Sequence, residues 1–219
     1  MMNRILVKLL SIPKTLYFNF KYFKLNEAIK LPVFVSYNTK FKTLKGNIEL
    51  PKDIKPGIIK IGLGDVGIFD KQKRRTVLEL DGNIRFKGKA DIGHGSSLSV
   101  GGDLVIGDKF VITAESSIVC KEKIIIGDNC LISWDCLLMD TDFHKIYNND
   151  KKQLNANEKI IVGNNVWIGC RNLILKGTII GDNSVIGANS KVCSKFNMDN
   201  VLIVGDPANI IKHDISWEV

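Results

Sequence analysis

The sequence predicts an all-β fold, a parallel β-helix in which short strands coil around a central axis. One large apolar residue recurs every six residues, a period that fits neither the α-helical repeat of about 3.6 residues nor the alternation of a single strand. Twelve of the fifteen intervals are six residues, two are eight (98 to 106 and 118 to 126), and one is twenty-four (138 to 162). The sixteen positions are Leu80, Phe86, Ile92, Leu98, Ile106, Ile112, Ile118, Ile126, Ile132, Leu138, Val162, Ile168, Ile174, Ile180, Ile186 and Val192.

Glycine follows the apolar residue at seven of these positions, and Asp or Asn often comes next, as in Ile126-Gly127-Asp128-Asn129. Gly and Asn accept a positive φ at low cost, so we expect each six-residue unit to end in a tight corner. Three such units predict a triangular coil of about 18 residues, with successive coils about 4.8 Å apart. Residues 80–203 would supply about six coils once the long interval is excluded.

The positive charge is concentrated at the start of the chain. Residues 1–46 contain nine basic side chains and one acidic one, Glu27, and this difference equals the net charge of +8. The stretch is rich in Leu, Ile, Phe and Tyr but has no apolar run of about twenty residues, so we expect neither a transmembrane helix nor a signal peptide. We interpret residues 1–50 as a basic amphipathic extension that either caps the solenoid or contacts an anionic membrane from the cytoplasmic side. No nucleic-acid recognition motif accompanies the charge.

The remaining chain divides into a β-helix domain, residues 51–203, and a C-terminal tail, residues 204–219. Its five cysteines lack the spacing of metal ligands. We therefore expect reduced thiols in a cytoplasmic protein, and no bound metal.

The twenty-four-residue interval predicts an extruded loop at about 140–159. Because twenty-four is a multiple of six, the coil can leave and re-enter at the same corner. The loop opens with Asp140-Thr141-Asp142-Phe143-His144. A histidine with carboxylate neighbours is suited to general-base catalysis near neutral pH. The other histidines have no such surroundings, since His94 falls at a predicted exposed corner and His213 in the tail.

The repeat resembles that of the hexapeptide-repeat acyltransferases. The Asp-x-Asp-Phe-His segment and the segment Val162-Gly163-Asn164-Asn165-Val166-Trp167-Ile168-Gly169 are similar to the branch that contains maltose and galactoside acetyltransferases and bacterial surface-polysaccharide O-acetyltransferases. The resemblance implies a left-handed β-helix and a homotrimer with active sites between subunits. It also implies transfer of an acetyl group from acetyl-CoA to a hydroxyl of a sugar or polysaccharide precursor.

The same resemblance implies roles for individual residues. His144 matches the general base, and Asp142 is favoured by proximity to orient it, with a turn cap or a sugar contact as alternatives. Acceptor contacts are implied for Trp134, Asp135 and Asp140, although the first two are equally well explained as an exposed corner without a partner. The residues implied for acetyl-CoA are Trp167, Gly169, Cys170, Gly187, Ala188, Lys195 and Lys212.

Three other functions are compatible with these motifs. The enzyme could acetylate the amine of a nucleotide amino sugar, or a drug-like alcohol as xenobiotic acetyltransferases do. The β-helix could also be a non-catalytic scaffold whose loop binds a partner protein.

Overall fold

Short strands separated by tight corners build a three-sided solenoid. The structure, a computed structural model, describes residues 4–64, 66–70 and 73–218. Two helices come first, α1 (Arg4–Tyr22) and α2 (Leu25–Ala28). The strands follow coil by coil: β1 (Val33–Val35), β2 (Thr39–Leu44), β3 (Asn47–Glu49); β4 (Ile59–Ile61), β5 (Thr76–Leu80), β6 (Asn83–Phe86); β7 (Ala90–His94), β8 (Ser97–Val100), β9 (Asp103–Ile106); β10 (Phe110–Ala114), β11 (Ser117–Cys120), β12 (Lys123–Ile126); β13 (Leu131–Ile132), β14 (Leu137–Met139), β15 (Ile160–Val162); β16 (Trp167–Ile168), β17 (Leu173–Leu175), β18 (Ile179–Ile180); β19 (Val185–Ile186), β20 (Lys191–Val192), β21 (Lys195–Phe196); and finally β22 (Leu202–Gly205) and β23 (Ala208–Lys212).

Each coil supplies one strand to each of three sheets. Sheet A has the order β1-β4-β7-β10-β13-β16-β19-β22-β23, sheet B the order β2-β5-β8-β11-β14-β17-β20, and sheet C the order β3-β6-β9-β12-β15-β18-β21. Neighbouring strands are parallel except β22 and β23, which are antiparallel. The chain therefore forms the parallel β-helix that the six-residue period predicts.

The core of the solenoid contains the periodic apolar residues. All sixteen positions are buried, with no more than 3% of any of these residues exposed. Since a buried aliphatic or aromatic side chain contributes about 1.5–3 kcal/mol, this column of stacked side chains is the main source of stability.

The coils differ in length along the chain, so the prediction of a uniform coil of about 18 residues is wrong. Strand partners between β5 and β14 of sheet B are 20 residues apart, as in Ser97 and Ser117, whereas Ile161 and Ile179 of sheet C are 18 apart. The sheet B strands of the longer coils bury two apolar residues, and the register pairs Leu78, rather than Leu80, with Leu98.

The glycines that follow the apolar positions are needed because neighbouring coils stack closely there. The prediction that these glycines adopt a positive φ is wrong. A Cβ added at Gly107 would lie 2.3 Å from the carbonyl carbon of Gly127 in the next coil. The left-handed φ occurs two residues after such a glycine, at Asn129 (57°), Asn165 (52°) and Asn183 (56°).

Helix α1 covers the first strand of sheet A with polar side chains. The hydroxyl oxygens of Ser11 and Thr15 accept the N–H groups of Tyr37 and Val35, each at 3.0 Å. Oδ1 of Asn19 accepts the N–H of Val33 at 3.1 Å, and its Nδ2 donates to the carbonyl of the same residue at 2.7 Å. Four residues of a helix span about 6 Å along its axis, and two residues of a strand span about 6.6 Å. Side chains four residues apart on the helix can therefore reach every second N–H group along the strand.

The strands begin earlier and end later than the predicted domain boundaries. Strands β1 to β3 lie between residues 33 and 49, because Val33–Val35 and Thr39–Leu44 pair with strands of the next coil. Strands β22 and β23 likewise extend sheet A beyond residue 203. Neither helix in the described ranges has the length and apolar character needed to cross a membrane.

Candidate active site

The loop of residues 140–159 leaves the solenoid between β14 and β15, at the corner that joins sheets B and C. The coils on either side stay in register, since Ile124 of β12 pairs with Ile160 of β15. Within the loop, Tyr147 and Gln153 form an antiparallel bridge. The loop is therefore a projection from an uninterrupted scaffold, as the twenty-four-residue interval predicts.

His144 is exposed near the base of this loop. Its backbone N–H donates to the carbonyl of Asp142 at 2.6 Å, and its own carbonyl accepts a hydrogen bond from Nδ2 of Asn155 at 2.8 Å. Asn155 also accepts the N–H of Ile146 at Oδ1, at 2.7 Å, so one amide side chain holds both sides of the loop. In the described ranges no protein group is hydrogen-bonded to the imidazole, whose nitrogens are open to a ligand.

Asp142 anchors the loop through one carboxylate oxygen, and its predicted role in orienting the imidazole stays a prediction. Its Oδ2 accepts hydrogen bonds from Nζ of Lys176 at 2.5 Å and from Nδ2 of Asn155 at 2.9 Å. The hydrogen bond from Lys176, with that from Asn155, lowers the pKa of Asp142 below its usual value. Lys176 also donates to the carbonyls of Asn155 and Ala156, both at 3.1 Å. A single ammonium therefore ties both ends of the loop to the solenoid.

A groove of about 550 Å³ lies beneath the loop at the same corner. Its polar lining comprises Asp142, Glu158, Lys176, Cys193, Ser194 and Lys195. Sequence reasoning placed only Asp142 and Lys195 in the site. The period of the coil could have identified two more of these residues. Glu158 and Lys176 are 18 residues apart, one coil length, and therefore lie at the same corner.

Asp140 is a structural residue, which corrects its assignment to the acceptor. The residue is fully buried. One carboxylate oxygen accepts the N–H of Lys121 at 2.7 Å, and the other accepts those of Glu122 and Lys123 at 2.9 and 2.8 Å. The side chain therefore caps the corner of the preceding coil and has no surface to offer an acceptor.

Trp134 and Asp135 lie at a different corner, between sheets A and B. Both have partners there, which excludes the interpretation as a corner without contacts. The Trp134 ring is 6.4 Å from the Phe69 ring, and a carboxylate oxygen of Asp135 is 3.5 Å from Nη1 of Arg74. Sequence reasoning missed Phe69 and Arg74, because their connection between β4 and β5 lies outside the six-residue pattern.

Four residues implied for acetyl-CoA share this corner between sheets A and B, one and two coils further along: Gly169, Cys170, Gly187 and Ala188. Stacking is tight there, since a Cβ at Gly169 would lie 2.9 Å from the carbonyl oxygen of Ile186. Ala188 is exposed. The N–H groups of Gly169 and Gly187 are bonded to carbonyls of the next coil, at 2.8 and 2.9 Å, so the small side chain of Ala188 is the one that opens this edge to a ligand.

The other three residues implied for acetyl-CoA lie away from this edge. Trp167 begins β16 on sheet A, where its indole Nε1 donates to Oγ of Ser133 at 3.1 Å. Lys195 begins β21 beside the groove, and Lys212 is exposed at the end of β23. One chain therefore does not gather these lysines with the small residues.

His144 and the small-residue edge occupy two different corners of one chain. The strand β14, Leu137–Met139, runs from the corner with Trp134 to the corner with the loop. Sheet B separates the two groups.

The remaining histidines and the cysteines offer no metal site. His94 is buried, with 3% exposure, and its ring lies 5.9 Å from the Phe69 ring, which corrects the predicted exposed corner. His213 is exposed. Across residues 4–64, 66–70 and 73–218, no group of three His, Cys, Asp or Glu residues is placed to hold a metal ion. Burial raises the pKa of the Cys120 thiol to about 12, and those of Cys130 and Cys136 to about 11.

Comparison with known proteins gives three findings. The family model described as bacterial transferase hexapeptide (six repeats) matches residues 159–194. The chain is 49% identical over 53 residues to the galactoside O-acetyltransferase of Escherichia coli K12, a match that covers 24% of this chain and 26% of that protein. It is 45% identical over 53 residues, with the same coverage, to WbbJ, a putative lipopolysaccharide biosynthesis O-acetyl transferase of the same organism. The chain thus spans about a quarter of the length of these curated relatives.

Among solved structures, the polySia-specific acetyltransferase NeuO superposes with a TM-score of 0.65. The superposition covers 85% of this chain and 82% of NeuO, at 24% sequence identity, and shows a shared fold. Together these findings confirm the resemblance to hexapeptide-repeat transferases and the left-handed parallel β-helix that it implies.

Proposed function

We propose that this protein transfers an acetyl group from acetyl-CoA to a hydroxyl of a sugar or surface-polysaccharide precursor. The observation that carries the proposal is the position of His144, whose exposed imidazole stands on a loop anchored beside a groove. The short matches to O-acetyltransferases support the same reaction class. Loops on rigid scaffolds are common sites of catalysis.

His144 would act as general base. The acceptor hydroxyl gives its proton to the imidazole while its oxygen attacks the thioester carbonyl carbon. Collapse of the tetrahedral intermediate breaks the carbon–sulfur bond, and the imidazolium returns the proton to the leaving CoA thiolate. The products are an acetyl ester and CoA. General-base assistance of this kind contributes about 10²- to 10⁴-fold to the rate.

The acetyl-CoA would bind along the edge formed by Gly169, Cys170, Gly187 and Ala188. Small side chains there allow the pantetheine arm to approach the backbone. The N–H groups of Cys170 and Ala188 are the candidates to stabilise the developing oxyanion, because those of Gly169 and Gly187 are bonded to the next coil. Because this edge and His144 are on different corners, we propose a homotrimer in which the loop of one subunit faces the small-residue edge of the next. Each subunit boundary would then hold one site.

The direct test measures CoA release from acetyl-CoA with a panel of sugars, for the parent protein, His144→Ala and the matched control His213→Ala. We expect a loss of roughly 10²- to 10⁴-fold for the first variant and no loss for the control. Turnover within a few-fold of the parent would show that His144 is not the base. Absence of acetyl-CoA binding in calorimetry would refute the proposal that the protein is an acetyltransferase.

Mixed trimers test the shared site. His144→Ala removes the base, whereas Ala188→Trp blocks the exposed cofactor edge, so each homotrimer should be inactive. In a ring of three, a mixed trimer with both kinds of subunit has one boundary that joins an intact loop to an intact edge. Trimers purified through two different tags should regain about a third of the parental activity. Inactive mixed trimers would place the whole site within one subunit.

A further inference from the structure

Helix α1 packs Phe18 and three polar side chains against the protein and leaves most of its large apolar side chains in solvent, unlike an ordinary surface helix. Ser11, Thr15 and Asn19 are no more than 7% exposed, because they cap β1. The opposite side of the helix carries large apolar residues that are between 40% and 56% exposed. This outer face of α1 consists of Leu6, Leu9, Leu10, Ile12, Leu16, Tyr17 and Phe20.

Further exposed apolar residues flank the next helix. Leu25 begins α2 and Ile29 follows its last residue, and they are 70% and 62% exposed. Soluble monomers rarely expose contiguous apolar surfaces of this kind, and such surfaces mark sites of interaction with a protein or a membrane. The cap keeps the outer face of α1 in place, so no rearrangement is needed to present it.

Positive charge surrounds the apolar surface. Residues 4–22 include no Asp or Glu, and both Lys8 and Lys21 are exposed. Lys24 and Lys30, which flank α2, are exposed as well, and Glu27 is the one acidic side chain in residues 1–46. A partner must therefore accept apolar side chains and supply negative charge beside them.

We propose that the outer face of α1 binds the surface of a membrane that contains anionic lipids, with the helix lying in the plane of the interface. The apolar side chains would enter the boundary between headgroups and acyl chains, and the lysines would meet lipid phosphates. Tyr17 and Phe20 are aromatic residues of the kind that lie at this depth. A second copy of the same face is a poorer occupant, because its lysines would repel those of the first. The proposal does not depend on the acetyltransferase reaction.

The structure also shows why the cap and the membrane contact are not alternatives. Different faces of the same helix carry them, so variants of the outer face can leave the cap intact. Deletion of the helix would remove both and is the less informative experiment.

Vesicle flotation of the full chain provides the test, with equimolar phosphatidylglycerol and phosphatidylcholine compared with phosphatidylcholine alone. We expect binding to the anionic vesicles only, weakened by salt. The double variants Leu9→Ser with Phe20→Ser, and Lys8→Gln with Lys21→Gln, should each lower partitioning by roughly tenfold or more.

The matched controls are Ile211→Ser, which alters a 61% exposed apolar residue of β23, and Lys151→Gln with Lys152→Gln on the loop. We expect the controls to bind like the parent, and every variant to keep the parental circular dichroism and size. Equal binding by the α1 variants, or no binding by the parent, would overturn the proposal. A change in oligomer size on outer-face substitution would instead assign that face to contact between copies.

Discussion

Replacement of the buried Asp140 by Ala should destabilise the fold. The carboxylate of Asp140 accepts three backbone N–H groups at the corner of the preceding coil, at 2.7 to 2.9 Å. A donor left without its partner costs about 1–3 kcal/mol. The lower figure applies because Glu122 and Lys123 are exposed, so water can reach this corner after truncation. Three donors then give a loss of about 3 kcal/mol in the free energy of unfolding.

Urea unfolding followed by circular dichroism, at equal protein concentration, measures this loss. With a slope of about 2–3 kcal/mol per molar urea, the midpoint should fall by about 1 M. Asp150→Ala is the control, because its carboxylate is exposed at the loop tip. An unchanged midpoint in Asp140→Ala, combined with weaker acceptor binding, would refute the structural assignment and restore the acceptor contact.

Three further predictions concern packing, thiol reactivity and the loop anchor. Gly107→Ala should lower the stability of the fold by about 2 kcal/mol in thermal unfolding, because the added Cβ would meet the next coil. The control Gly67→Ala should be neutral, because the space around Gly67 is open. Equal effects of the two substitutions would contradict the stacking argument. Titration with a thiol reagent at pH 8 should find two fast thiols in the folded protein and all five cysteines after unfolding, the fast ones being Cys170 and Cys193. The pKa of Asp142 is lowered by Lys176, so the anchor should persist above pH of about 4 and weaken as the pH falls through that lowered pKa. Hydrogen exchange of residues 141–156, corrected for intrinsic rates, checks this, and equal protection at pH 3 and pH 5 would refute it.

The fold was predictable because its signal is local and repeated. Each six-residue unit carries its own apolar residue and corner, so errors at one unit do not affect the next. The repeat did not predict strands β1 to β3, since the longer connection after β4 interrupts the period there. It also misassigned the reason for glycine, because a clash between coils is a contact between residues about 20 positions apart.

The site was predictable only in part. The position of His144 on an extruded loop followed from the interruption of the period, and its catalytic role stays a prediction. The roles of Asp140 and Asp142 depend on partners elsewhere in the fold, the amides of residues 121–123 and the ammonium of Lys176. Neighbours in sequence gave no information on those contacts. Phe69 and Arg74 were missed for the same reason.

The polar cap formed by Ser11, Thr15 and Asn19 limits how copies of this molecule can assemble. A stack of parallel coils has no intrinsic end, and an open terminal strand would accept another solenoid in the direction of the axis. Here the N–H groups of Val33, Val35 and Tyr37, at the end of sheet A, are already bonded to side chains of the same chain. Polymerisation through sheet A at this end would require detachment of a 19-residue helix. Association through the sides of the prism needs no such detachment, and only that geometry closes into a ring.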